Sequence, residues 1–213
     1  MEGTDKQKYV SRSLFQLMLQ EIMPTSIRVT QQLRETRTQR EMDESNEKQQ
    51  QTRLDTQLSG ISGDTPGRVD VLQSPLIASD DVTVRIELLG VDVGLRLTEI
   101  LMLKTNSKIV DILDIMKFVC RDVWKVLYGK QMDNLRTNHR GTFVLIDNKH
   151  RLIDNMMSDG GITDTVSKGK HYVWLSCGII RGILMSFAVF AQVTSEISHF
   201  PSVSFNVQTG INN

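Results

Sequence analysis

Two cysteines, Cys120 and Cys177, in 213 residues are too few for a disulfide framework. Each lies in an apolar stretch that reads as helical, where a buried free thiol is expected and a disulfide between the two is the alternative. The histidines, His139, His150, His171 and His199, are scattered, and none stands at ligand spacing from another or beside a cysteine. A zinc site therefore has no donor cluster. Charge of one sign is missing too: 25 Lys and Arg balance 25 Asp and Glu, so no global field draws nucleic acid or an acidic membrane. The longest apolar run, residues 178–193, contains Arg181 and falls short of the roughly 20 residues a membrane span needs. No GxxxxGK[ST] loop, GxGxxG turn or GxSxG elbow occurs. An apolar setting would raise the Cys177 pKa rather than activate the thiol. We expect no cofactor, no metal, no catalytic residue and no enzyme.

What is present falls into an organised part and a bare one. MEGTDKQKYV lacks the apolar core of a signal peptide, and Glu2 stands where myristoylation needs Gly. We expect a flexible stretch over 1–12, a cytoplasmic chain, and membranes reached only through partners. From 34 to 81 the chain has no aromatic residue and is rich in Gln, Arg, Glu and Thr. Such a segment buries too little apolar surface to offset its ordering entropy, so a disordered insertion is expected. The spacing of Leu54, Leu58 and Ile61 leaves open a short helix that folds on binding. Residues 13–33 and 82–209 then make one domain of roughly 160 residues, enough to bury its own core, with 210–213 a tail.

Helical spacing of Leu14, Leu17, Met18 and Ile22 predicts a first helix over 13–33, with Phe15 and Leu19 widening its stripe and Pro24 expected to kink or interrupt it. A second helix spans 82–103 and carries two apolar stripes, Ile86–Leu89–Val93–Leu97–Ile100 and Val84–Leu88–Val91–Leu95. Gly90 and Gly94 leave a groove on it where another backbone can approach. A helix apolar on two sides is either buried within its own domain or shared with a partner. A third helix covers 108–128 and stops at Gly129. Strands are expected at 142–146, 151–157, 170–175 and 203–208, a loop at 158–169 and a helix at 178–191. The class is α+β: long N-terminal helices packed on a small twisted antiparallel sheet, with a C-terminal helix inserted. The basic connector 130–151 reads as a well-bonded turn, or as a protein or phospholipid contact. Arg181, within an apolar helix, must find partners, and connector carbonyls are the expected ones, with a lipid or ligand head group the alternative.

Residues 114–151, DIMKFVCRDVWKVLYGKQMDNLRTNHRGTFVLIDNKHR, together with CGIIRG at 177–182, closely resemble the subunit-6 type of the TRAPP small subunits. The resemblance begins near Leu14, lapses over 34–81, and runs from 82 to about 207. Arg136, Asn138, Gly141, Gly178, Arg181 and Gly182 are the motif positions it picks out. It implies the BET-type TRAPP fold and a non-catalytic subunit of a tethering and Rab guanine-nucleotide exchange complex in ER-to-Golgi and Golgi traffic. The implied partners are TRAPP subunit 3 as a direct heterodimer, the other small and larger TRAPP subunits, and a Rab-family GTPase through the complex. The implied location is cytoplasmic and peripheral at Golgi membranes. Carried onto this chain, the heterodimer interface takes in Leu14, Phe15, Met18, Ile22, Ile86, Leu89, Val93 and Leu97. Subunit 3 bears an acylated cysteine shortly after the helix matching 82–103. Residues 104–112 here contain none, so no acyl chain is expected. The rival reading is a small-molecule or lipid sensor of related fold, against which Met116, Phe118 and Trp124 argue for a filled core.

Overall fold

The computed structural model describes residues 11–46, 75–104, 109–138 and 140–210. Helix α1 (Arg12–Asn46) leads through a 3-10 turn (Pro75–Ala78) to α2 (Asp80–Lys104). Next comes a helical run made of α3 (Ile112–Phe118), a π-helical turn (Val119–Val123) and α4 (Trp124–Tyr128). Strands β1 (Asn134–Thr137) and β2 (Thr142–Asp147) precede α5 (Gly161–Ser186), and β3 (Ala191–His199) and β4 (Ser202–Thr209) close the chain. The four strands are antiparallel in the order β1-β2-β4-β3. This is the expected α+β class with a helix inserted between strand pairs.

Several boundaries differ from expectation. α1 runs unbroken through Pro24 and continues to Asn46, so residues 34–46 are helical rather than disordered. Met23, Pro24 and Ile27 are buried, and that burial outweighs the one backbone bond that proline removes. Beyond Leu33 the Arg, Gln and Glu content suits a helix, and the Arg34 guanidinium reaches Asp81 of α2 at 2.5 Å. Residues 47–74, including Leu54, Leu58 and Ile61, lie outside the described residues, as do 1–10 and 211–213. Residues 151–155 form turns instead of a strand, and 170–175, expected as a strand after a loop, belong to α5. α5 ends at Ser186, short of 191, while β1 and β3 arise where no strand was expected. Gly129, at φ 66°, caps α4 as predicted.

The core lies between the helices and one face of the sheet. Alternation puts Phe143, Leu145 and Asp147 of β2 and Val203, Phe205 and Val207 of β4 inward. Met116, Phe118 and Trp124 pack with them and are buried, as a filled core requires. α2 and α5 cross through glycines spaced four apart on both helices. A methyl at Gly90 would stand 2.4 Å from the Leu175 carbonyl oxygen, and one at Gly94 would stand 2.3 Å from that of Ile179. From the other side, Gly178 and Gly182 face the Glu87 and Val91 oxygens at 2.1 and 2.2 Å. The backbone that approaches Gly90 and Gly94 is thus the chain's own.

Candidate functional site

That crossing divides the two apolar stripes of α2 differently from expectation. Val82, Ile86, Gly90, Val91, Gly94 and Thr98 turn inward, so Ile86 belongs to the core and is withdrawn from the interface candidates. Val93 and Leu97 are half-buried against the core, like Phe15 and Ile22 on α1. Leu14, Met18 and Leu89 are exposed. Sequence reasoning did not single out Leu33, Val84 and Leu88 for the interface, yet each is more than half exposed. With Leu89 they line a groove between α1 and α2, whose charged rim includes Arg34, Arg85, Asp81 and Asp92. The second apolar stripe, Val84 and Leu88, was the signal.

The structure does not bring Leu14 and Leu89 together. Gln16 donates to the Arg151 carbonyl at 3.3 Å, and Phe15 and Leu19 border Leu127 and Leu152. The start of α1 therefore sits over the 151–155 turn, while Leu33 sits at the α2 groove. Nineteen residues separate Leu14 from Leu33, about 28 Å along a helix. The candidates expected to share one interface fall in two apolar patches, one at the start of α1 and one beside the middle of that helix.

Of the six motif residues, all but Arg136 make contacts within the fold. Asn138 Oδ1 accepts from the Arg140 and Thr142 amides at 2.9 and 3.1 Å, closing the β1–β2 connection. Gly141 has φ 79°, which favours glycine. Its carbonyl accepts from the Thr209 amide at 2.9 Å and the Thr209 hydroxyl at 2.8 Å. Arg136 is exposed on β1. Arg181 does not reach the connector: it pairs with Glu87, because α5 packs on α2.

The cluster most suggestive of chemistry was not anticipated. His150 Nδ1 lies 2.9 Å from Asp147 Oδ2, and His150 Nε2 lies 3.1 Å from Ser176 Oγ. A carboxylate, an imidazole and a hydroxyl in that order resemble a nucleophilic triad. Here all three are fully buried, and Ser176 Oγ is also 2.7 Å from the Tyr128 hydroxyl. Asp147 accepts further bonds from Trp124 Nε1 at 2.8 Å and the Lys149 amide at 3.2 Å, and pairs with Lys130. With the imidazole proton on Nδ1 facing the carboxylate, Nε2 accepts from Ser176 and Ser176 accepts from Tyr128. Every member is then satisfied and no face of Ser176 is open to a substrate. Burial pushes the Asp147 carboxyl upward, but hydrogen bonds from His150, Lys130 and Trp124 overcome it and hold the pKa at about 2. The signal in sequence was Asp147 three residues before His150, with Ser176 set in the apolar stretch 172–180 of α5.

Both thiols are free. Burial pushes each up to about 12, and a hydrogen bond with Ser195 only partly opposes this at Cys177. At pH 8 the thiolate fraction is then on the order of one in ten thousand, against about a quarter for an unperturbed cysteine. A thiol-exchange reagent at pH 8 should modify the folded chain more than about a thousandfold slower than the urea-unfolded chain. Rapid labelling of native Cys177 would contradict this. Among the described residues no group of acidic, histidine or cysteine side chains could hold a metal ion, and no helix is long and apolar enough to cross a membrane.

Helices packed on a small antiparallel sheet, with a sealed polar cluster inside and apolar helix surface outside, define an α+β fold of the small-subunit kind. The chain belongs to the TRAPP family: the family model described as "Transport protein particle (TRAPP) component" matches residues 15–210. Within that family the similarity is to the subunit-6 type. Trafficking protein particle complex subunit 6B from Bos taurus and from Homo sapiens are each 42% identical over 123 residues, covering 58% of this chain and 75% of theirs. Subunit 6A from Bos taurus is 39% identical over 95 residues, covering 45% of this chain and 58% of its own. Among solved structures, a trafficking protein particle complex subunit 3 from Naegleria fowleri covalently bound to palmitic acid superposes with a TM-score of 0.52 at 16% identity. That match covers 62% of this chain and 81% of the other, and it shows the shared fold.

Proposed function

We propose that this TRAPP subunit is non-catalytic and acts by forming a heterodimer with TRAPP subunit 3 through the groove between α1 and α2. It thereby helps assemble the core that serves Rab-family guanine-nucleotide exchange in ER-to-Golgi and Golgi vesicle traffic. It meets larger TRAPP subunits and the membrane through that complex, stays cytoplasmic and peripheral, and binds no nucleic acid. The observation that carries this reading is the open apolar patch of Leu33, Val84, Leu88 and Leu89, rimmed by charge of both signs. A stable interface needs about 800 Å² per partner with a few apolar anchors at its centre.

The test is reconstitution with purified subunit 3, using Leu88→Asp and Leu89→Asp. Burying either carboxylate at the centre of an interface should cost about 2 kcal/mol or more, roughly 30-fold in Kd. Both variants should keep the wild-type circular dichroism, and Lys125→Ala, on exposed α4 surface, should bind normally. Undiminished binding by folded Leu88→Asp would place the heterodimer contact elsewhere.

A further inference from the structure

The two edges of the sheet are guarded unequally. β1 is four residues long and carries Arg136, and short charged edges resist pairing with other chains. β3 has nine residues, and its register shift lies between Glu196 and His199. The first five, Ala191–Gln192–Val193–Thr194–Ser195, contain no charge and no proline.

The free backbone groups on this edge can be identified. Thr209 donates its amide toward β2, to the Gly141 carbonyl, whereas Gly210 donates to Phe190 on the β3 side. Backbone groups alternate along a strand, so Gln192 and Thr194, opposite Gln208 and Asn206, bond to β4. Ala191, Val193 and Ser195 turn their N–H and C=O groups outward, and no backbone hydrogen bond among the described residues engages them.

An open groove runs beside these groups. One wall is Ala191, Gln192, Val193 and Thr194. Successive strand side chains point to opposite faces, so four consecutive residues can border one groove only along the edge itself. The opposite wall includes Trp174 and Arg181 of α5. They stand two helical turns apart, about 10 Å, the length of three extended residues. Glu87 pairs with Arg181 and neutralises that wall. Phe190, 78% exposed, stands at the end of the groove.

We propose that the β3 edge is a strand-addition site that takes an extended, uncharged segment of another polypeptide as a fifth strand. The segment alternates apolar and polar residues, its apolar side chains meeting Trp174 and Phe190. Free N–H and C=O groups on a strand edge are satisfied by another extended backbone. An uncharged edge facing a self-neutralised wall selects a segment without charge. A second copy of this chain fits less well, because its own Trp174 and Arg181 would have to occupy the groove that one strand fills. The groove shares no residue with the patch of Leu33, Val84, Leu88 and Leu89, so this site stands or falls apart from the heterodimer.

The test is amide exchange in the full-length chain, with and without a capped peptide of sequence SVSFNVQT. That is the sequence of β4, uncharged and alternating, which β3 already accepts on its other side. In the free chain the Val193 and Ser195 amides should exchange faster than those of Gln192 and Thr194. Saturating peptide should slow Val193 and Ser195 at least tenfold. Ala191→Pro, which removes an outward donor at the first residue of the strand, and Phe190→Ala, at an exposed position, should each weaken peptide binding at least fivefold without lowering Tm. Four outcomes would overturn the proposal. Val193 and Ser195 could already be as protected as Thr194, meaning that the chain covers its own edge. Protection could rise with the concentration of the chain alone, making the occupant a second copy. Or a scrambled peptide of the same composition could protect equally well, or neither peptide protect at all.

Discussion

Gly178→Ala should lower the Tm by about 4–8 °C, while Gly169→Ala in the same helix should raise it. Both changes gain up to about 1 kcal/mol of helix propensity, because alanine orders more cheaply than glycine. The surroundings decide the sign. A methyl at Gly169 would meet side chains of Phe200, Ile153 and Ile197 at 3.7–3.8 Å, ordinary van der Waals distances. A methyl at Gly178 would lie 2.1 Å from the Glu87 carbonyl oxygen and 3.0 Å from the Gly90 α-carbon. Those are backbone atoms of α2 and cannot rotate aside, so the helices must separate by roughly an ångström. A gap of that size forfeits a quarter to a half of each contact it opens. Ile86, Val91, Ile179 and Ile183 along this crossing are all buried. Overpacking a closed interior costs about 1–3 kcal/mol, and here the upper end applies, leaving a net loss of about 2 kcal/mol after propensity. At about 2–4 °C per kcal/mol for a domain of this size, the fall is readily seen by thermal circular dichroism. A Gly178→Ala chain as stable as wild type would mean that α2 and α5 do not touch backbone to backbone.

The same glycines show what was legible in sequence. Gly90 and Gly94 marked α2 as a helix that another backbone approaches, but periodicity on one helix does not say which backbone. The complementary pair, Gly178 and Gly182, stood in CGIIRG with the same spacing, and together the pairs specify a crossing within the chain. Without that match, Ile86 was assigned outward although it packs inward. Helix α2, the cap at Gly129 and strands β2 and β4 were legible because local pattern and tertiary role agree there. Residues 170–175, HYVWL among them, have the β-branched and aromatic content of a strand. They are helical because α5 is buried on several sides, and a buried helix shows no clean stripe. β3 was hidden because its first residues, with inward-facing Ala191 and Val193, formed one apolar run with the end of α5. The spread of interface candidates over two patches could not be read from sequence, since it depends on where α1 crosses α2.

Asp147→Ala should cost the most. The carboxylate accepts from Trp124, His150 and the Lys149 amide and pairs with Lys130. Removing it leaves the ring N–H groups of Trp124 and His150 without an acceptor inside the core, while the partly exposed Lys130 keeps Asp133 at 3.2 Å. Each buried donor left without its acceptor costs about 1–3 kcal/mol, so the two together take a large share of the roughly 5–15 kcal/mol that holds a typical domain. Asp147→Asn keeps the shape but loses the charge, so it isolates the electrostatic contribution. The folded carboxyl titrates at about 2, below its ordinary value of 3.8. The unfolded chain therefore binds the proton first as the pH falls. The contribution is full above pH 3.8 and disappears as the pH falls toward 2, a loss of about 2 kcal/mol at 1.36 kcal/mol per pH unit. Urea unfolding between pH 4.5 and 2 should show wild type losing more stability than Asp147→Asn by about that amount. Equal slopes would mean that Lys130 and His150 do not hold the carboxylate in its charged form. Ser176→Ala separates the two roles the cluster could have. It orphans Tyr128 and His150 and should cost about 1–3 kcal/mol, while binding to subunit 3 at a temperature where the variant is folded stays at the wild-type level. The resemblance to a catalytic triad is then a by-product of closing a hydrogen-bond network beneath Trp124 and Phe205, whose ring centroids lie 5.4 Å apart. Rigidity there sets how the sheet seats on the helices that carry the proposed interface.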